Sequence, residues 1–338
     1  MGWSNGPDQR TGKDRNSAVY PSGAWASIAG VRKDIIMSNS AAQSINQDTP
    51  QGLAYAMGAY VIWGFLPLYM KAVAHIPAIE VVANRVIWAM PIAAALLIYR
   101  KRTADLVTAL KTPRMLLMAC VTAVLISINW GIYVWSIAVD RALDAALGYY
   151  INPLFSIALG ALLLGERLNK AQLVAIALAA AAVGVLWYDA GSLPWPAVGL
   201  TVSWGFYAFF KKSLPIGPNQ GFLLEVLILM PFGVAYVTYL ATTGQGHLGA
   251  SWMDTLLILG LGVVTAVPLI LYANGAKLLR LSTIGILQYI APTMIFLVAV
   301  LVFDEPFGQA RMIAFPLIWA ALVIYSASMI KGLRRSRQ

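Results

Sequence analysis

Two charges stand well inside long apolar stretches of this chain, Arg85 and Glu225. A charge held at bilayer depth costs about 2.5–3.5 kcal/mol on insertion scales, so it is expected to face a partner or a wet cavity. A direct ion pair is the first possibility, and depth argues against it. Arg85 lies about seven residues from one end of its stretch and Glu225 about four from the opposite end, roughly 10 Å and 6 Å from opposite faces of a core roughly 30 Å thick. The expectation is two separate functional charges, Arg85 for an anionic group and Glu225 for a coupling proton, with snorkelling or a bond to a neighbouring helix as the plainer reading. Asn129 and Tyr133 are four apart and share a helical face. Tyr149, Asn152 and Ser156 fall on one face, and Ser282, Gly285 and Gln288 form another stripe. The candidate substrate-binding set is therefore Trp63, Arg85, Trp88, Asn129, Tyr133, Tyr149, Asn152, Trp204, Glu225, Tyr272 and Gln288. Polar glue between helices and an interfacial aromatic belt are the bland alternatives.

Other chemistry has little to stand on. Well inside the apolar stretches there is no paired carboxylate, no Ser/His or Cys/His set and no group of metal ligands, so neither catalysis nor a metal or cofactor is expected. No Gly-rich Lys-Ser/Thr motif offers direct ATP drive. His75 reads as an ordinary loop residue, and Glu166 and Asp304-Glu305 as loop caps or interfacial groups. Pro91, Pro153, Pro231 and Pro292 would each free a carbonyl and bend a helix, as a hinge or as a static kink. Ala175, Ala179, Ala180 and Ala182 give one stretch a small-residue face for close packing, within the molecule or in a homodimer.

The elements that must position these groups follow from composition. Hydrophobic residues make up 59% and charged residues 11% of the 338, against roughly 25% charged in a soluble domain. The chain reads as all-α and membrane-embedded, because lipid-buried backbone must bond internally and no stretch alternates as a barrel strand would. Ten spans are expected, at 52–72, 78–99, 115–138, 143–163, 171–188, 194–210, 221–240, 254–275, 282–303 and 310–330. Residues 1–51 read as a disordered polar tail with Met37 as a second candidate start, and 332–338 as a basic tail. Nothing resembles a cleavable leader, so the first span is read as an uncleaved anchor. Twenty of the 24 Lys and Arg fall on one side of this arrangement and three on the other. By the positive-inside rule both termini are expected in the cytoplasm of an inner-membrane protein. The net charge of +10 is then a topology signal with some attraction to anionic lipid, not a nucleic-acid footprint.

The spans repeat. Trp63-Gly64-Phe65 recurs as Trp204-Gly205-Phe206, and Met90-Pro91 as Met230-Pro231. Tyr133, Arg141, Tyr150, Pro153 and Glu166 fall on Tyr272, Arg280, Tyr289, Pro292 and Glu305, all at an offset of 139. Each copy, 52–189 and 194–331, holds five spans. Five is odd, so the second copy enters the membrane inverted, as in many secondary transporters.

Specific segments carry a family resemblance: Ala59 to Gly64, Asn84 to Trp88, Leu147 to Leu154, Gly165-Glu166, Leu279 to Thr283 and Gln288 to Thr293. From Gly52 to the end the chain resembles the EamA group of the drug/metabolite transporter superfamily. Asn84 departs from it, since a His commonly precedes the Arg there. The resemblance implies a ten-helix fold around a central cavity and efflux or exchange of small organic solutes, with a link by name to chloramphenicol sensitivity in one branch. A lipid scramblase or a ligand-sensing membrane protein on the same fold is the alternative.

Overall fold

The computed structural model describes residues 48–335 apart from 102, 165–167 and 214. The tail up to residue 47, Glu166 and residues 336–338 lie outside the described residues. The chain forms α1 (Pro50–Ala72), α2 (Ala78–Tyr99), α3 (Ala104–Lys111), α4 (Pro113–Ala138), α5 (Ala142–Leu164) and α6 (Lys170–Ala190). It continues with α7 (Trp195–Ser213), α8 (Pro218–Thr243), α9 (Trp252–Gly275), a 3-10 turn (Ala276–Leu278), α10 (Leu281–Leu287), α11 (Ile290–Leu301) and α12 (Gln309–Arg335). No strand occurs among the described residues. Helix starts follow local chemistry: the Thr49 hydroxyl accepts the Gly52 N–H ahead of Pro50, and Asn169 and Gln172 form a reciprocal capping box at α6.

The fold is all-α with ten membrane spans, arranged as two inverted five-helix repeats. Spans one to five are α1, α2, α4, α5 and α6; spans six to ten are α7, α8, α9, α10 with α11, and α12. Among the described residues nine are long and apolar enough to cross a bilayer by themselves, counting 283–301 as one. The tenth, α7, carries Lys211 and Lys212 near its end and packs on α4 and α5. We call the Lys- and Arg-rich side, where α1 begins, the basic face.

Each half packs on the other in a pattern that survives their exchange. α1 lies against α9 and α11, while its counterpart α7 lies against α4 and α5; α2 pairs with α8 and α6 with α12. Repeat-related glycines allow the close approaches. A Cβ at Gly64 would sit 2.5 Å from the Met294 sulfur of α11, and one at Gly205 would sit 2.3 Å from the Phe155 ring of α5. The small face of α6 closes within the molecule: Ala175, Ala179 and Ala182 are buried, and α6 packs on α12, while Ala180 faces outward.

Three sequence expectations change. Residues 100–114 are not a plain loop but carry α3, whose Leu106 and Ala109 are buried against the bundle. Span nine is not one helix. The Pro292 ring leaves no room for a regular turn over the Gln288 carbonyl, four residues back. The backbone accordingly ends α10 at Leu287 and restarts α11 at Ile290, where Pro292 falls in the first turn and its missing N–H costs nothing. Its counterpart α5 runs unbroken through Pro153. Finally, α12 continues to Arg335, so residues 332–335 are helical.

His75 is also more than a loop residue. On the face opposite the basic one, its Nε2 meets Asp254 at 2.8 Å, and its ring stands edge-on to His247 at 5.9 Å. His247 in turn bonds the buried Glu80 carboxylate through its N–H and its Nδ1, both at 2.8 Å. This cluster ties the start of α2 to the α8–α9 connection.

Candidate functional site

Helices from both halves enclose a central cavity of about 160 Å³. Of the expected set, Trp63, Arg85, Asn129, Tyr133, Tyr149, Asn152, Trp204, Tyr272 and Gln288 line it. Trp88 and Glu225 do not. The Trp88 indole N–H donates to Asn84 Oδ1 at 3.2 Å, and its carbonyl lies 2.2 Å from where a Cβ on Gly262 would stand. It belongs to the α2–α9 seam, and Asn84, which also donates to the Glu80 carbonyl at 3.0 Å, fixes its rotamer.

Glu225 corrects the expectation of a free charge. Because α7 extends past the predicted end of span six, Lys211 is helical and reaches back into the bundle. Its Nζ meets Glu225 Oε1 at 2.6 Å, and the Tyr207 hydroxyl donates to Oε2 at 3.3 Å. Glu225 is therefore one shell behind the wall, touching it through Tyr207. As depth required, it makes no bond to Arg85.

Arg85 is held from two sides at 4% exposure. Its Nε donates to Thr265 Oγ1 at 3.0 Å, and the guanidinium stands 4.6 Å over the Trp130 ring. Its Nη1 has no hydrogen-bond partner among the described residues, and the same is true of the Tyr133 hydroxyl and Asn152 Oδ1. Asn129 is by contrast fully engaged. Its amide donates to the Leu200 carbonyl and to Ser203, and its oxygen accepts the Tyr149 hydroxyl at 3.3 Å.

Aromatic rings form much of the remaining wall, beside aliphatic residues such as Leu66, Ile126 and Leu269, in two clusters whose Trp63 and Tyr272 correspond by the repeat to Trp204 and Tyr133. Trp63 lies 5.6 Å from both Tyr60 and Tyr272. On the other side Trp204 lies 5.5 Å from Tyr207 and 6.4 Å from Tyr149, which in turn meets Tyr133 at 5.8 Å. Among the residues lining the cavity Arg85 is the one charged side chain. The arrangement can bind and orient a small molecule through one cation, several hydroxyls and flat rings; it offers no nucleophile–base pair.

Sequence reasoning missed Tyr60, Trp130, Tyr207 and Thr265. Trp130 was within reach, as the neighbour of Asn129 one helical turn from Tyr133. Thr265 carried no signal: it is an ordinary helix residue, brought to Arg85 from 180 positions away.

Residues 50–188 match the EamA-like transporter family. An uncharacterized transporter of Vibrio cholerae is 41% identical over 293 residues, covering 86% of this chain and 97% of the relative. Protein RarD of Escherichia coli is 38% identical over 291 residues, covering 86% and 98%. A solved crystal structure shares the fold at a TM-score of 0.52 and 19% identity, covering 82% of this chain and 96% of its own.

Proposed function

The chain belongs to the EamA-like transporter family, and on that premise we propose that it is a secondary transporter moving small organic solutes by alternating access around the central cavity. One observation carries the reading: the cavity is walled by side chains from both inverted halves, so a change in how the halves meet alters access to it. The halves already differ, since span nine is broken where span four is continuous. Exchange of such conformations between equivalent elements is an economical way to open one side and close the other. The basic face is assigned to the cytoplasm, with both termini there and the protein in the bacterial inner membrane. The partners are a small-molecule substrate and membrane lipid, with a homodimer as the form to test.

Reconstitution tests this. Purified protein in liposomes is expected to support counterflow of at least one solute from a broad metabolite and drug panel, with chloramphenicol among the first competitors. Lipid flipping without solute exchange would favour a scramblase, and binding without either would favour a sensor.

A further inference from the structure

We propose that the transported solute is a small organic monoanion, one acidic group carried on a single planar ring. This rests on the transport reading above and names its substrate class. The charge follows from Arg85. A guanidinium stays ionised at any accessible pH, and this one is 4% exposed with its Nη1 unpartnered among the described residues. Burying a charged donor without an acceptor is costly, so an acceptor is expected to arrive with the ligand. Thr265 and the Trp130 face fix the guanidinium before the ligand arrives and leave the buried Nη1 without an acceptor among the described residues. Tyr133 lines the same cavity, and its hydroxyl, also buried and without a partner among the described residues, is a second donor close to it.

Selectivity follows from what the wall lacks. No acidic side chain lines the cavity to receive a cation, and the Glu225 carboxylate behind it is engaged by Lys211 at 2.6 Å. A dianion would leave its second charge uncompensated, because Arg85 is the one cation on the wall. Size and shape complete the class. A cavity of about 160 Å³ compares with the roughly 150 Å³ apolar cavity that accepts one benzene. Trp63, Trp204 and Tyr272 offer ring faces to such a body.

Benzenesulfonate and benzenesulfonamide provide the test, being near-identical in shape and different in charge; the sulfonate does not cross lipid as a free acid. Calorimetric titration of the purified full chain in nanodiscs is expected to show the anion binding about tenfold or more tightly than the amide, the scale of one charged hydrogen bond. Benzylamine is expected not to compete. Arg85→Gln should bring the anion-to-amide ratio close to one, and Arg85→Lys should restore part of it. If Arg85→Gln does not fold, the ratio in the unmodified protein decides alone. Equal binding of anion and amide, competition by benzylamine, or no binding of either sulfur compound at millimolar concentration would overturn the proposal. Counterflow separates it from its premise. Exchange of the amide but not the sulfonate sinks the anion class and leaves transport standing. Selective sulfonate binding, with no solute exchanged, leaves the anion site standing and sinks transport.

Discussion

Glu225 illustrates how a residue's chemistry depends on a neighbour the sequence does not announce. Its carboxylate is 1% exposed and bonded to Lys211 and Tyr207. A buried pair is weak evidence for stability, but removing one partner leaves the other's charge uncompensated. Glu225→Gln is therefore expected to destabilise the protein by about 1–3 kcal/mol. The double variant Glu225→Gln with Lys211→Met should recover much of that loss. Thermal unfolding of the four proteins in detergent closes the cycle; a single variant as stable as the parent would show that the pair contributes nothing. Arg85 was the easier residue to read, because an arginine two turns inside an apolar helix has few bland explanations. Its partners were not readable. Thr265 and Trp130 are common residue types on other helices, and only the packing of α2 against α9 and α4 makes them a setting for the guanidinium.

Glycines set the spacing between elements. At Gly262 the backbone of α9 passes so close to α2 that a Cβ would stand 2.2 Å from the Trp88 carbonyl oxygen, a backbone atom that cannot swing aside. Gly262→Ala must push the two helices apart, and overpacking of this kind costs about 1–3 kcal/mol. Size-exclusion of heated, detergent-solubilised protein should show a lower midpoint for Gly262→Ala than for Gly184→Ala, where nothing lies within 4 Å. Equal midpoints would mean that the α2–α9 seam is not tightly packed. Hydrophobic runs located the helices, because a span needs a length of apolar sequence and little else. Runs are silent on interruptions, however: α10 and α11 together read as one apolar stretch, and α3 is too short and too mixed to stand out. Pro292 marked the region of the break, yet Pro153 at the equivalent place leaves α5 whole. A proline removes one backbone bond wherever it falls, and the neighbours decide whether the helix bends or breaks.

At the scale of the molecule, topology is the most exposed claim. Reporters fused after Arg114, Lys212 and Gln338 are expected to mark the cytoplasm, and one in the 241–253 connection the opposite side. A cytoplasmic signal from that connection would contradict the ten spans and the inversion together. The exchange pattern of helix contacts, α1 on α9 and α11 against α7 on α4 and α5, is what an inverted repeat becomes in three dimensions. Span count, the pairing of the halves and their inversion were determined by the sequence alone, because apolar length, charge bias and a shared offset are properties of the chain in order. The cavity was decided by tertiary structure. It gathers nine of the eleven expected residues and passes over Trp88 and Glu225. Periodicity fixes which face of a helix a residue occupies but not what that face meets. For Trp88 the face meets a glycine on α9, and for Glu225 it meets a lysine on α7.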